Sequence, residues 1–97
     1  MLVAKVIGSA VASLKLDALQ SSKLLLVCPA DLAGNPAGDP FLAVDLVGAG
    51  EGELVMLSQG SSARVACGNL ERSPADAAII GILDSLRSNG ETVFRKA

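Results

Sequence analysis

Val3, Lys5, Ile7, Ser9, Val11 and Ser13 alternate with Leu2, Ala4, Val6, Gly8, Ala10 and Ala12, a two-residue period that predicts a long first strand with small side chains along one face. Lys23 to Cys28 is a continuous apolar run closed by Pro29. Phe41 to Val47 is another, with Leu42, Val44 and Leu46 on one face and Asp45 on the other. These runs predict the second and third strands. Between them, Asp31 to Pro40 is rich in glycine, proline, aspartate and asparagine, the chemistry of a long surface loop. Gly48, Gly50 and Gly52 then break the chain ahead of Glu53 to Ser58, a short fourth strand that begins on a charge. The run Gly60 to Arg64 follows, where Gly60 supplies backbone freedom and Ser61 is suited to cap a single helical turn. A second loop is expected over 67–75.

From Ser73 onward the pattern supports two readings. Ser73, Pro74 and Asp76 look like a helix start, and Ile79, Ile82, Leu83 and Leu86 recur at helical spacing. Against that, Asn89-Gly90 is a hairpin-turn signal and Thr92 to Phe94 a good short strand, which makes Ile79 to Leu86 its strand partner. Local physics divides evenly between them. Several short strands, glycine-rich turns and little helix indicate a small all-β barrel or sandwich. Closure into a barrel removes exposed sheet edges, and the small residues of the first strand suit a tapering interior.

Length and composition narrow the picture. A chain of 97 residues holds one core, so residues 1–97 are expected to form a single domain. Hydrophobic residues make up 51% of the chain and mean hydropathy is +0.51, so apolar surface is expected to remain for a partner. Charges or glycines interrupt every apolar stretch before the roughly 18 to 20 residues that a membrane span requires. The N-terminus has Lys5, a short apolar run and Ala10-x-Ala12, but few large residues, with Gly8 and Ser9 among them, and does not read as a secretory leader. Cys28 and Cys67 lie far apart, neither at a metal-ligand spacing nor at the density of a disulfide scaffold, which suits a reducing, cytoplasmic setting. A net charge of −2 gives no footprint for nucleic acid.

Candidate chemistry is sparse. The run Gly48 to Glu53 approaches a dinucleotide-binding loop, but the pattern requires glycine where Glu53 stands and a helix where a strand follows. A carboxylate there would repel pyrophosphate, so the run reads as a tight strand connection and no cofactor is expected. Gly60 to Arg64 has the makings of an anion nest; the plainer reading has Ser61 capping a turn and Arg64 pairing with a carboxylate such as Glu53, within the chain or across a subunit boundary. With no histidine in the chain, the usual activation of serine or cysteine nucleophiles is missing. Asp45, Asp76 and Asp84 are scattered, and Cys28 reads as a small core residue. Neither a catalytic nor a metal site is expected. A small barrel that binds single-stranded nucleic acid needs stacking aromatics, and Phe41 and Phe94 are the only two.

Three stretches together resemble the vertex proteins of bacterial microcompartment shells, the EutN/CcmL family: Val3 to Gly8, Ala43 to Glu53 and Asp76 to Asp84. Gly60 to Arg64 and Lys23 to Val27 also fit, so the resemblance leaves only the two long loops unmatched. It implies a closed five-stranded barrel like that of oligonucleotide-binding domains, with a short helix near Ser61 and a C-terminal hairpin strand. It also implies a strand at Ile79 to Asp84, against the local helix signal. The implied function is structural: a homopentamer plugging the fivefold corners of a cytoplasmic polyhedral shell, carboxysome-like in kind, beside hexameric and trimeric tile proteins. The alternative is a barrel that binds single-stranded nucleic acid or a small anion. On the vertex reading, Gly48, Gly50, Gly52, Glu53, Ser61, Ser62 and Arg64 are expected to organise contacts between subunits around the axis, and the tail from Thr92 to reach onto a neighbour or a facing tile.

Overall fold

Alternation gives the first strand its form, and one irregularity gives it two faces. The computed structural model describes residues 1–11, 23–66 and 76–96, the side chains of 64–66 excepted. Strand β1 runs Leu2–Ala10 and pairs antiparallel with β2, Lys23–Pro29. Up to Val6 the even positions point inward, with Ala4 and Val6 fully buried. A bulge between Val6 and Gly8 then shifts the register, so Gly8 and Ala10 stand opposite Leu26 and Leu24 on the outside. The single small-residue face expected from the alternation is therefore split between interior and exterior. The part of that expectation at Ala12 and Ser13, like the loop over 67–75, lies outside the described residues.

The chain continues through β3 (Phe41–Asp45), β4 (Leu54–Gln59), helix α1 (Ser61–Ala66) and β5 (Ala77–Ile82). Five strands close into a barrel in the order β1-β2-β3-β5-β4, with β4 pairing back onto β1. Among the described strands only β3 and β5 run parallel, a pairing made possible because β4 and α1 intervene in sequence. Ala4, Val6, Leu25, Val27, Ala43, Val55, Leu57, Ala77 and Ile79 fill the interior. Ala and Val at so many inward positions suit the narrow interior of a barrel of five strands.

Two expectations change in detail, and the strand expected at Ile79 to Asp84 is met with shifted bounds. The third strand ends at Asp45, not Val47, because the Asp45 carboxylate takes up the next amides and turns the chain out of the ladder. Within that strand Ala43 and Val44 are both buried, while Leu42 faces solvent. Residues from Ala77 to Ile82 form a strand despite their helical spacing, because they pair on one side with β3 and on the other with β4. Tertiary pairing overrides the local signal.

The C-terminal hairpin consists of β6 (Ser85–Ser88) and β7 (Glu91–Arg95), a separate two-stranded sheet. Asn89 and Gly90 both have positive φ, 53° and 80°, the type I′ geometry that Asn-Gly favours. The partner of Thr92 to Phe94 is thus a shorter segment than Ile79 to Leu86. The last barrel strand ends at Ile82, and a bend at Asp84 starts the hairpin afresh.

Candidate functional site

The connection from β3 to β4 is held from both ends by carboxylates. Asp45 Oδ1 accepts the amides of Val47 at 3.1 Å, Gly48 at 3.1 Å and Ala49 at 3.3 Å. Its side chain is 1% exposed, with Lys23 Nζ at 4.0 Å from Oδ2, and the same ammonium donates to the Ala49 carbonyl at 3.4 Å. Ala49 is thereby drawn into the core. An aspartate a few residues ahead of a glycine-rich run captures the following amides in this way because its short side chain reaches the backbone just downstream.

At the other end, Glu53 Oε1 accepts the Gly50 amide at 2.6 Å. The backbone of the turn is laced to β1 through Gly52 N to Val6 O at 2.8 Å and Val6 N to Glu53 O at 2.9 Å. Gly48 and Gly52 have φ of 76° and 87°, a conformation that costs any other residue about 1 kcal/mol or more. Gly50 differs from them. A Cβ added there meets only Glu53 Oε1, at an ordinary 3.5 Å, so the fold of one subunit does not itself require glycine at this position.

Glu53 also ties down the C-terminus. Its Oε2 receives Lys96 Nζ at 2.6 Å, and the Lys96 amide donates to Asp84 O at 2.7 Å. The hydrogen bond from Lys96, followed by that from Gly50, holds the Glu53 carboxyl below its ordinary range, while the bond to Glu53 raises Lys96. Both groups are solvent-facing, so water and salt screen the pair. Phe94 packs over Gly34, where a Cβ would stand 2.9 Å from the ring and within 4.0 Å of Leu54. Glu51 to Leu54 and Phe94 to Lys96 line a shallow recess between turn and hairpin.

Ser61 and Ser62 are exposed at the start of α1, at the far end of β4 from Glu53. Six residues of strand separate the two groups, on the order of 20 Å. The structure brings Gly48, Gly50, Gly52 and Glu53 together in one turn and leaves Ser61, Ser62 and the backbone of Arg64 as a second, distant group. Asp45, Lys23 and Lys96 were not anticipated by sequence. For Asp45 the signal was present, as an aspartate just before glycines; for Lys96 there was none, since only the fold brings it to Glu53. Among the described residues, no cluster of three or more His, Cys, Asp or Glu side chains is placed to hold a metal, and no helix is long and apolar enough to cross a membrane. Cys28 is buried, its Sγ 3.1 Å from the Gly38 carbonyl, as befits a small core residue.

Residues 1–84 match the family model described as ethanolamine utilisation protein EutN/carboxysome. The chain belongs to the EutN/CcmL family. The match ends at Asp84, where the chain leaves the barrel for the hairpin. Over 96 residues the chain is 44% identical to the bacterial microcompartment shell vertex protein EutN of Escherichia coli K12, covering 99% of this chain and 100% of that one. A solved structure of an ethanolamine utilization protein EutN superposes with a TM-score of 0.90 at 41% identity, covering 100% of both chains. The GrpN pentameric microcompartment shell protein from Rhodospirillum rubrum superposes with a TM-score of 0.79 at 40% identity, over 91% of this chain and 99% of that one. These relatives are structural shell proteins rather than enzymes.

Proposed function

We propose that the protein is a structural subunit of a bacterial microcompartment shell, assembling as a homopentamer that closes the fivefold vertices of the polyhedron. The single observation that carries this reading is full-length similarity, in sequence and in fold, to shell vertex proteins and to a shell protein described as pentameric. Geometry supports it. A flat layer of hexameric tiles cannot close without fivefold points, and a subunit placed there must present the same rigid shape in every copy. The doubly anchored turn from Asp45 to Glu53 supplies such rigidity. Its partners are other copies of itself and the hexameric and trimeric tiles of the same shell.

On this reading Gly48, Gly50, Gly52 and Glu53 organise contacts between subunits around the axis, together with Ser61, Ser62 and Arg64. A ring requires heterologous contacts, in which one patch of a subunit meets a different patch of the next. Two groups at opposite ends of β4 fit that requirement better than a single shared site. Gly50, which the isolated chain does not need as glycine, leaves room for a neighbouring backbone. The segment from Thr92 to Lys96, expected to reach onto a neighbour or a tile, is instead tied to its own subunit through Phe94 on Gly34 and Lys96 on Glu53.

Nucleic acid is not a partner on this reading. Phe94, one of the two aromatics, is committed to Gly34, and the net charge is −2, so stacking and phosphate attraction are both poorly supplied. Native mass spectrometry of the purified protein tests the proposal: five copies of the 9.8 kDa chain are expected, and a strict monomer would overturn it. Arg64→Ala is expected to shift that assembly toward smaller species while the far-ultraviolet spectrum stays unchanged. Full retention of the pentamer would remove Arg64 from the contact.

A further inference from the structure

The barrel and the C-terminal hairpin are held together very differently. Each barrel strand contributes buried residues to one interior, among them Ala4 and Val6 on β1, Leu25 and Val27 on β2, and Leu57 beside Ile79 where β4 meets β5. No residue of β6 or β7 is buried: Leu86, Ser88, Val93 and Phe94 are half-buried and the others are exposed. The two strands pair with each other as a separate sheet, an arrangement that is marginal by itself in water. Two side chains fasten it to the barrel. Phe94 packs on Gly34 beside Leu54, and Lys96 Nζ meets Glu53 Oε2 at 2.6 Å. The first is only half-buried and the second faces solvent, where water and salt screen it. Between Ile82 and Ser85 the chain is just Leu83 and Asp84, outside either strand, with a bend at Asp84. On the barrel side of that joint the Leu83 amide donates to Leu54 O at 2.9 Å. On the hairpin side the Lys96 amide donates to Asp84 O at 2.7 Å and Arg87 Nη2 to Gly90 O at 3.1 Å, bonds that keep the hairpin's two ends and its turn in shape without the barrel.

We infer that the C-terminal hairpin is a flap, hinged at Leu83 and Asp84, that swings off the barrel as one unit while the five barrel strands stay paired. Segments with few buried apolar contacts open at the lowest cost, in cooperative units that follow supersecondary motifs, and hinges are a few residues at element ends that absorb the backbone change. The hairpin meets both conditions. In the closed position the recess lined by Glu51 to Leu54 and Phe94 to Lys96 is the seam between flap and barrel. Opening takes Phe94 off Gly34 and away from Leu54, and frees Glu53 Oε2. Glu53 Oε1 meanwhile keeps the Gly50 amide, so the glycine turn stays anchored when the flap lifts. A single carboxylate thus joins a permanent anchor on one oxygen to a releasable one on the other.

Amide hydrogen exchange, read by mass spectrometry on peptides covering the hairpin and the barrel strands, tests the hinge in the full-length protein. Three forms are compared: wild type, Phe94→Ala, which removes a fastening, and Ile79→Val, which trims the barrel core. In the wild type the paired amides of β6 and β7 are expected to exchange at one shared rate, at least tenfold faster than those of β1, β2 and β4. Phe94→Ala should speed the hairpin a further fivefold or more and leave the barrel within twofold. Ile79→Val should do the reverse, because hairpin exchange then runs through local opening and not through unfolding of the barrel. Hairpin amides as slow as the barrel's in the wild type would overturn the flap, as would either variant that shifts both regions by the same factor. Loss of all structure in Phe94→Ala, seen by circular dichroism, would overturn it too, since the hairpin would then belong to the barrel's own cooperative unit. Separate rates for β6 and β7 would show fraying strands and not one moving unit.

Discussion

Leu54 and Leu42 both point away from the barrel interior, yet one is 2% exposed and the other 47%. Leu54 lies beside Phe94 of the C-terminal hairpin and Gly34, whereas Leu42 lies on β3 opposite Leu26. The same residue type on the same kind of strand is therefore a core residue in one place and a surface residue in the other. What separates them is where the chain goes after the barrel is complete. The hairpin brings Phe94 to Gly34 and Leu54, so the apolar surface there is covered within one subunit.

The largest expected effect tests this contrast. Leu54→Ala should cost about 2 to 5 kcal/mol, the range for a buried leucine, at every protein concentration. Leu42→Ala should cost less than about 1 kcal/mol, as surface substitutions do. Thermal melts across a hundredfold concentration range check both. A Leu54→Ala penalty that vanished at low concentration would erase the distinction.

A smaller effect sharpens the covered side. Gly34 has φ +89°, and a Cβ would stand 2.9 Å from the Phe94 ring, so Gly34→Ala combines backbone strain with displacement of the hairpin. A loss of about 1 to 3 kcal/mol is expected, measured by urea unfolding, with faster amide exchange in β6 and β7. Unchanged exchange there would mean that Phe94 does not hold the hairpin down.

The smallest effect concerns the Glu53–Lys96 pair. Because the folded Glu53 carboxyl titrates below its ordinary 4.5, its contribution is fully present above about that pH and is lost as pH falls through the lower folded value. Lys96 is raised above 10.5, so its contribution is present below that pH and is lost as pH rises through the folded value. The tether is thus intact at neutral pH and released in acid. Amide chemical shifts of Glu91 to Lys96 should move on acidification in the wild type and much less in Lys96→Ala. Equal movement in both would show that another group drives the change.

The elements of the barrel were legible to different degrees, for physical reasons. β2 announces itself as an unbroken apolar run ending in Pro29, and the Asn89-Gly90 turn by a dipeptide chemistry that readily takes two positive φ values. The segment Ala77 to Ile82 was not decided by local preference, because its spacing suits a helix as well as a strand. The resemblance to the family decided for a strand, and pairing with β3 and β4 is what makes it one. Within the candidate site, the glycines and Glu53 were visible as a turn, but its anchors were not all visible. Asp45 looked like one polar residue of an alternating strand, and Lys96 like part of a charged tail.

By itself the sequence determined the strand content, the tight turns, the absence of histidine chemistry and, through its motifs, the family. These are properties of period, backbone preference and residue type, and they act over a few neighbouring residues. The tertiary structure decided which side of β1 is inside beyond the bulge, which leucines are roofed and which are bare, and which cation meets Glu53. Those outcomes depend on register and on where distant segments come to rest, and no short-range pattern encodes either.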